Sequence, residues 1–108
     1  MQIPLQITFH GMERSDAIEA KIREKAAKLD RFHSRLTSCR VVVEVPHRHH
    51  HKGKLFSVRI DMTVPGGELV VNRDSSDHSH EDVYVAIRDA FNAAIRQLED
   101  HARKHSPS

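Results

Sequence analysis

The sequence is poor in the residues that form disulfide networks, membrane spans and aromatic cores. Its 108 residues include one cysteine, no tryptophan, one tyrosine and four phenylalanines. A lone Cys39 can form neither an internal disulfide nor a thiolate metal site, and it is typical of a reducing cytoplasm. No signal peptide and no apolar run of membrane-spanning length is present, so we expect a cytoplasmic protein that does not bind membranes.

Glycine is also scarce, and the motifs of common enzymes are missing. The four glycines form no phosphate-cradling loop, and there is no nucleophile elbow and no H-E-x-x-H pair. Cys39 precedes an apolar strand, where a small packing residue is more usual than a nucleophile. Tyr84 falls on the predicted core face of a helix. We therefore expect a non-catalytic protein with no cofactor, no metal and no small-molecule substrate.

Positive and negative residues are distributed unevenly along the chain, with few acidic residues in one segment and few basic residues in another. The net charge is +2, yet residues 21–54 hold ten Lys or Arg against three carboxylates, a local charge of +7. Residues 68–82 hold one arginine against five carboxylates, a local charge of −4. Such polarity can orient a protein on a polyanion.

The hydrophobic periodicity predicts four strands and two helices. Pro4 predicts that the first strand lies at a sheet edge or begins late, and Pro65-Gly66-Gly67 predicts a hairpin turn. Ser15 or Asp16 can cap the first helix, and Ser79 with Asp82 resembles a cap for the second. The predicted strands are 3–9, 38–45, 55–64 and 68–73, and the helices are about 16–32 and 81–101.

The predicted order is β-α-β-β-β-α, an α+β fold in one domain. A right-handed crossover should make the first two strands parallel, and an antiparallel meander should follow. We expect a four-stranded mixed sheet with two helices packed on one face. The single domain should cover residues 1–104, and residues 105–108 should form a short disordered tail.

Each helix has an apolar face bordered by cations. Lys21, Lys25 and Lys28 lie within about 60° of one another on the first helix, and Arg88, Arg96 and Arg103 share an arc of about 80° on the second. The alternative without a binding function is a solvated helix whose lysine stems lie along the apolar surface while their ammonium groups stay in water. The predicted core residues are Ile18, Ile22, Ala26, Leu29 and Phe32 on the first helix, and Tyr84, Ile87, Phe91, Ala94, Ile95, Leu98 and Ala102 on the second.

Three segments in this order resemble the hibernation promoting factor and protein Y family of bacterial ribosome-associated factors. They are the helix segment 25–29 (KAAKL), the hairpin 63–70 (TVPGGELV) and the start of the second helix at 80–84 (HEDVY), followed by Ala86-Ile87 and Arg96-Gln97-Leu98. No segment is decisive singly, but the order and spacing are specific. The resemblance covers nearly the whole chain.

The resemblance implies a fold similar to a double-stranded RNA-binding domain. It also implies binding in the messenger and transfer-RNA channel of the small ribosomal subunit, and inhibition of translation in stationary phase or stress. The expected partner is therefore the small subunit, through its rRNA and its proteins, and we expect a monomer off the ribosome. RNA contact carries over first to Lys25, Lys28, Arg96 and Lys104; charge and helical geometry add Lys21, Arg23, Arg31, Arg40, Arg88 and Arg103.

The sequence departs from the family pattern in several places. Ala93, Asp100 and Ala102 stand where relatives often carry lysine, which predicts a weaker RNA contribution from the second helix. The loops at 47–52 and 74–79 look longer than usual. The long form of the family has a further C-terminal domain, which we do not expect here, and the sequence does not decide whether ribosome dimers are promoted or opposed.

Two other functions remain open from the sequence. His47, His49, His50 and His51 could bind zinc, nickel or copper, but adjacent histidines on a loop cannot all converge on one ion without a spaced partner such as His78 or His80. The loop could equally be a polar connector, or touch RNA more strongly as pH falls. A general double-stranded RNA-binding protein that never visits ribosomes would share the fold.

Overall fold

The computed structural model describes residues 3–32, 35–45, 56–73 and 82–104. The elements in chain order are β1 (Leu5–His10), α1 (Asp16–Phe32), β2 (Ser38–Glu44), β3 (Ser57–Val64), β4 (Gly67–Arg73) and α2 (Val83–Lys104). This is the predicted β-α-β-β-β-α order. The loop that contains His47–His51, the connector 74–81 with Ser79, and the tail 105–108 lie outside the described residues.

One four-stranded mixed sheet has the order β1-β2-β3-β4. β1 pairs with β2 in parallel, whereas β2–β3 and β3–β4 pair antiparallel, as predicted. β1 begins after Pro4 and lies at the sheet edge, and the Pro4 carbonyl accepts a hydrogen bond from the Cys39 amide at 3.0 Å. Proline is tolerated there because an edge position does not need its missing N–H.

A two-residue turn joins β3 to β4. Val64 pairs with Gly67, which leaves Pro65 and Gly66 as the central turn residues. Gly66 has a φ of 90°, which glycine adopts without a steric penalty, and proline fixes the φ that the first central position requires. The tripeptide Pro65-Gly66-Gly67 was therefore sufficient to predict the hairpin turn.

The two faces of the sheet differ in burial, most clearly on the central strands β2 and β3. Alternate residues of β2 and β3 form the core, with Val41, Val43, Val58, Ile60 and Met62 fully buried. Both helices cover this face, α2 mainly over β3 and β4 and α1 beside β1. The opposite side, here called the helix-free face, carries the intervening side chains of all four strands: Gln6, Thr8, His10, Ser38, Arg40, Val42, Glu44, Ser57, Arg59, Asp61, Thr63, Glu68, Val70 and Asn72.

The core face of α1 was predicted correctly and that of α2 only in part. On α1, Ile18, Ile22, Ala26 and Leu29 are buried as expected, while the side chain of Phe32 lies outside the described set. On α2, Tyr84, Ile95 and Ala102 are exposed, so their assignment to the core was wrong. The buried face of α2 consists of Val83, Ala86, Ile87, Ala90, Phe91, Ala93, Ala94 and Leu98.

Small side chains explain the rotation of α2 relative to the prediction. Ala86, Ala90 and Ala93 are buried and leave room for the helix backbone to approach the sheet. The prediction weighted large apolar residues and so placed the centre of the buried face toward Tyr84 and Ile95. Beyond this face, the Gln97 side chain donates a hydrogen bond to the Val70 carbonyl of β4 at 3.0 Å, which ties the helix to the sheet edge.

Candidate RNA-binding surface

The start of α1 is fixed by a side-chain cap. The Ser15 hydroxyl accepts a hydrogen bond from the Ile18 amide at 3.3 Å, and Asp16 and Glu19 lie in the first turn, where the helix dipole favours negative charge. At α2, Asp82 is itself the cap, since its carboxylate accepts from the Tyr84 amide at 2.9 Å. These caps fix the residue at which each helix begins.

Lys25 and Lys28 lie on the border of α1 that faces α2, and together with Leu29 they line one side of a groove between the helices. Arg23 is two residues from Lys25 and therefore projects about 160° away around the helix. The structure thus brings Lys25 and Lys28 together with α2 and places Arg23 on the other border of α1.

The groove between the helices, here the inter-helix groove, has a volume of about 470 Å³. Its floor is apolar and consists of Leu29, Phe91 and Ile95. Asn92 and Glu99 of α2 stand opposite the two lysines. Arg96 follows Ile95 on the exposed side of α2, and Lys104 ends that helix.

Four cations of the two helices are held by neighbouring carboxylates. Lys21 bonds Glu24 at 2.9 Å, and Arg23 bonds Glu19 at 3.0 Å. Arg88 bonds Asp89 at 3.1 Å, and Arg103 pairs with Asp100. Hydrogen bonds from Arg23 and from Lys21 hold the pKa values of Glu19 and Glu24, respectively, below the usual range. In these pairs the charge of the cation is already partly neutralised by a carboxylate of the protein itself.

Four of the ten predicted contact residues have no such partner within the described ranges. They are Lys25, Lys28, Arg96 and Lys104, here called the free cations. All four belong to the helices, and all but the half-buried Lys25 are exposed. Arg31 is not among them because it has an interaction partner. The free cations coincide with the residues that the family resemblance ranked first.

Arg40 lies on the other side of the molecule. Its guanidinium bonds Asp61 at 3.1 Å on the helix-free face, and Arg59 bonds the same carboxylate at 2.9 Å. Burial alone would raise the pKa of Asp61, but the hydrogen bonds from Arg59 and Arg40 outweigh it and lower that pKa. The ten predicted residues therefore do not form one continuous patch, since the sheet separates Arg40 from the helices.

Glu68, at the start of the acidic segment, faces the same way as Arg40, whereas Asp82 at its end caps α2. Glu68 stands opposite Thr63 in the β3–β4 pairing and lies on the helix-free face, whereas Leu69 faces the core side. Asp74, Asp77 and Glu81 lie outside the described residues. Glu68 and Asp61 thus lie on the face opposite the free cations.

Cys39 is a packing residue in β2. Burial, and to a lesser degree the charge of Asp61, raises the pKa of its thiol to about 12, so it stays protonated near neutral pH. The described ranges contain no cluster of three or more histidine, cysteine or acidic side chains arranged to hold a metal. Within the same ranges, neither helix combines the length and apolarity needed to cross a bilayer.

Three residues of the surface were not identified from the sequence as part of it: Asn92, Ile95 and Glu99. Asn92 and Glu99 had no motif to mark them, and Ile95 was assigned to the core. A signal was nevertheless present, because Ile95, Asn92 and Glu99 follow the three- and four-residue spacing of one helix face. That face meets the lysine border of α1 only once the two helices are packed.

The fold and surface define a small two-layer α+β domain with a cationic groove between its helices. Two solved structures share this fold. A ribosomal subunit interface protein from Coxiella burnetii has a TM-score of 0.76 at 15% identity, over 94% of this chain and 99% of that one. The N-terminal domain of Thermus thermophilus protein Y has a TM-score of 0.69 at 24% identity, over the same 94% and 99%.

Sequence comparison supplies the family. The model of the Sigma 54 modulation protein / S30EA ribosomal protein family matches residues 5–106, and the chain belongs to this family. A ribosome hibernation promoting factor from Azotobacter vinelandii is 30% identical over 102 residues, which cover 93% of this chain and 83% of that protein. The Deinococcus radiodurans factor is 29% identical over 98 residues, but the match covers only 48% of its length. The predicted family resemblance is confirmed.

Proposed function

We propose that this chain is a ribosome hibernation factor. In this proposal it binds rRNA of the small ribosomal subunit in the mRNA and tRNA channel and inhibits translation in stationary phase or under stress. The observation that carries the proposal is the set of free cations, all four on the helices that flank one groove. The names of the relatives, which are ribosome hibernation promoting factors, support the choice of the ribosome as the partner.

Free cations are suited to RNA because they can meet phosphates without first losing a carboxylate partner. Affinity for nucleic acid comes largely from release of the counterions that such contacts displace. Structured RNA is recognised mainly by shape and backbone, so fixed rows of lysine and arginine can suffice without a base-reading motif. The paired cations, in contrast, must exchange an existing ion pair for a phosphate.

The opposite face supports one orientation of the domain. Glu68 lies on the helix-free face, and Arg40 and Arg59 there are already bonded to Asp61, so a polyanion would be attracted more strongly to the free cations of the helices than to this face. We therefore propose that the helices face the RNA and that the sheet faces outward.

The test is salt-dependent binding to purified small subunits. Lys25→Gln/Lys28→Gln should weaken binding and reduce the slope of log affinity against log salt by about 2, one for each lost phosphate contact. The matched control is Arg14→Gln/Arg23→Gln. It removes the same charge beside the same helix, but from cations that already share Glu19 at 2.5 and 3.0 Å, so its slope should change little.

Sedimentation with small subunits and whole ribosomes supplies the second measurement. Co-migration of the unaltered protein at low salt, together with inhibition of translation in a cell-free extract, is the expected result. If the protein binds free duplex RNA but does not co-migrate, it is a general double-stranded RNA-binding protein and the proposal is wrong. Equal losses in the two double variants would overturn the role of the free cations.

A further inference from the structure

We infer that the inter-helix groove receives one unpaired nucleotide of the RNA, with its base on the apolar floor and its phosphate at Lys25 and Lys28. This inference rests on the proposed RNA-binding function and adds the kind of RNA element that the site selects. It assigns a role to an exposed apolar side chain that phosphate binding alone would not need.

The floor of the groove provides the apolar contact. Leu29 and Phe91 are each only 2% exposed, whereas Ile95 is 36% exposed and offers most of the accessible apolar surface. A base within a duplex is covered on each side by its stacked neighbours, so only an unpaired base can place its face against Ile95. A volume of about 470 Å³ lies within the range of small-molecule sites, roughly 300–1,000 Å³.

The rim of the groove provides polar contacts of two kinds. On the α1 side, Lys25 and Lys28 are free cations and attract a phosphate. On the α2 side, Asn92 offers donors and an acceptor, and the Glu99 carboxylate accepts hydrogen bonds. Asparagine pairs well with the N6 and N7 edge of adenine, and glutamate accepts from exocyclic amino groups. Glu99 would also repel a phosphate, which keeps the backbone on the lysine side.

The depressions on the helix-free face lack this combination. They have volumes of about 450 and 550 Å³, so size alone does not distinguish them. Their linings include Arg40, Arg59 and Asp61, which are already bonded to one another. The inter-helix groove therefore combines an apolar floor with cations that have no partner among the described residues.

The experiment compares two RNA hairpins with the same structured loop and the same paired stem, one of which carries a single additional unpaired adenosine within the stem. The unaltered full chain should bind the hairpin with the unpaired adenosine about fivefold more tightly, which is the low end of the range for stacking of a base on an aromatic ring, because Ile95 is aliphatic. Ile95→Gln should bring the ratio of the two hairpin affinities to about 1. Val70→Gln, also an exposed apolar residue but on the helix-free face, is the matched control and should keep the preference.

The outcomes separate this inference from the proposed function. If the unaltered protein binds small subunits but does not distinguish the two hairpins, the groove inference is wrong and ribosome binding stands. If Ile95→Gln weakens binding to small subunits but changes neither hairpin affinity, a ribosomal protein occupies the groove and the inference is again wrong. Absence of binding to small subunits at low salt would instead overturn the proposed function. Circular dichroism of Ile95→Gln should match that of the unaltered chain, since the side chain is already partly exposed.

Discussion

The helical side contains both paired and free cations, whereas the described arginines of the helix-free face are paired. On the helices, Lys25, Lys28, Arg96 and Lys104 have no carboxylate partner among the described residues. On the sheet, Arg40 and Arg59 converge on one carboxylate, Asp61. The comparison distinguishes cations that form ion pairs within the protein from cations that remain available to bind a partner molecule. Counting lysines and arginines along the sequence cannot make that distinction.

The largest expected effect is on stability, and it compares substitutions on the two sides of β3. Ile60 is fully buried beneath the helices, whereas its neighbour Arg59 lies on the helix-free face. Ile60→Ala should lower the free energy of unfolding by about 2–5 kcal/mol, because it removes buried methyl groups and leaves a cavity. Arg59→Ala should cost less than about 1 kcal/mol, as for most exposed ion pairs. Urea unfolding followed by circular dichroism measures the two values, and similar losses would contradict the assignment of the faces.

A second prediction compares free and paired cations within α2. Arg96→Gln/Lys104→Gln should reduce the salt slope of small-subunit binding by about 2. Arg88→Gln/Arg103→Gln removes the same charge from residues bonded to Asp89 and Asp100, and should reduce the slope by less than about 1. The slope is obtained from affinities at several salt concentrations. A larger reduction of the slope for Arg88→Gln/Arg103→Gln would show that ion pairing in the free protein does not predict which cations contact the small subunit.

The smallest expected effect concerns Asp61 and pH. Its folded-state pKa is lowered from 3.8, so its ionised form stabilises the fold above that value, and the contribution is lost as pH falls through the lower folded pKa. Asp61→Asn should therefore be less stable than the unaltered chain near neutral pH, by about 1 kcal/mol or less. The difference should shrink toward about pH 3. Unfolding curves at the two pH values measure it, and a difference that grows on acidification would refute the assigned direction.

The order of elements was predictable because the apolar periodicity was strong and the breaks were chemically clear. Pro4 and the Pro65-Gly66 turn act locally and were predicted correctly, whereas the sequence left Ser15 and Asp16 as alternative caps of α1 and the structure identifies Ser15. The rotation of α2 was not predictable in the same way. Its buried face depends on how closely Ala86, Ala90 and Ala93 approach the sheet, which is a property of the packed pair and not of the helix.

The candidate site likewise contains some features that the sequence could predict and others that require the packed structure. Pairs such as Lys21–Glu24 and Glu19–Arg23 follow from helical spacing and could have been identified before the structure. The pair Arg40–Asp61 could not, because it requires the register in which these two residues stand opposite each other. The inter-helix groove needs the docking of α1 on α2, and for this reason Ile95 was misassigned to the core.

The hydrogen bond from Gln97 to Val70 also bears on how the protein behaves at high concentration. β4 is an outer strand of the sheet, and the free main-chain groups of such a strand can recruit a strand from another molecule. By occupying the Val70 carbonyl from α2, Gln97 withholds one hydrogen-bond acceptor from any incoming strand. We therefore expect Gln97→Ala to increase self-association at high protein concentration more than it lowers the free energy of unfolding.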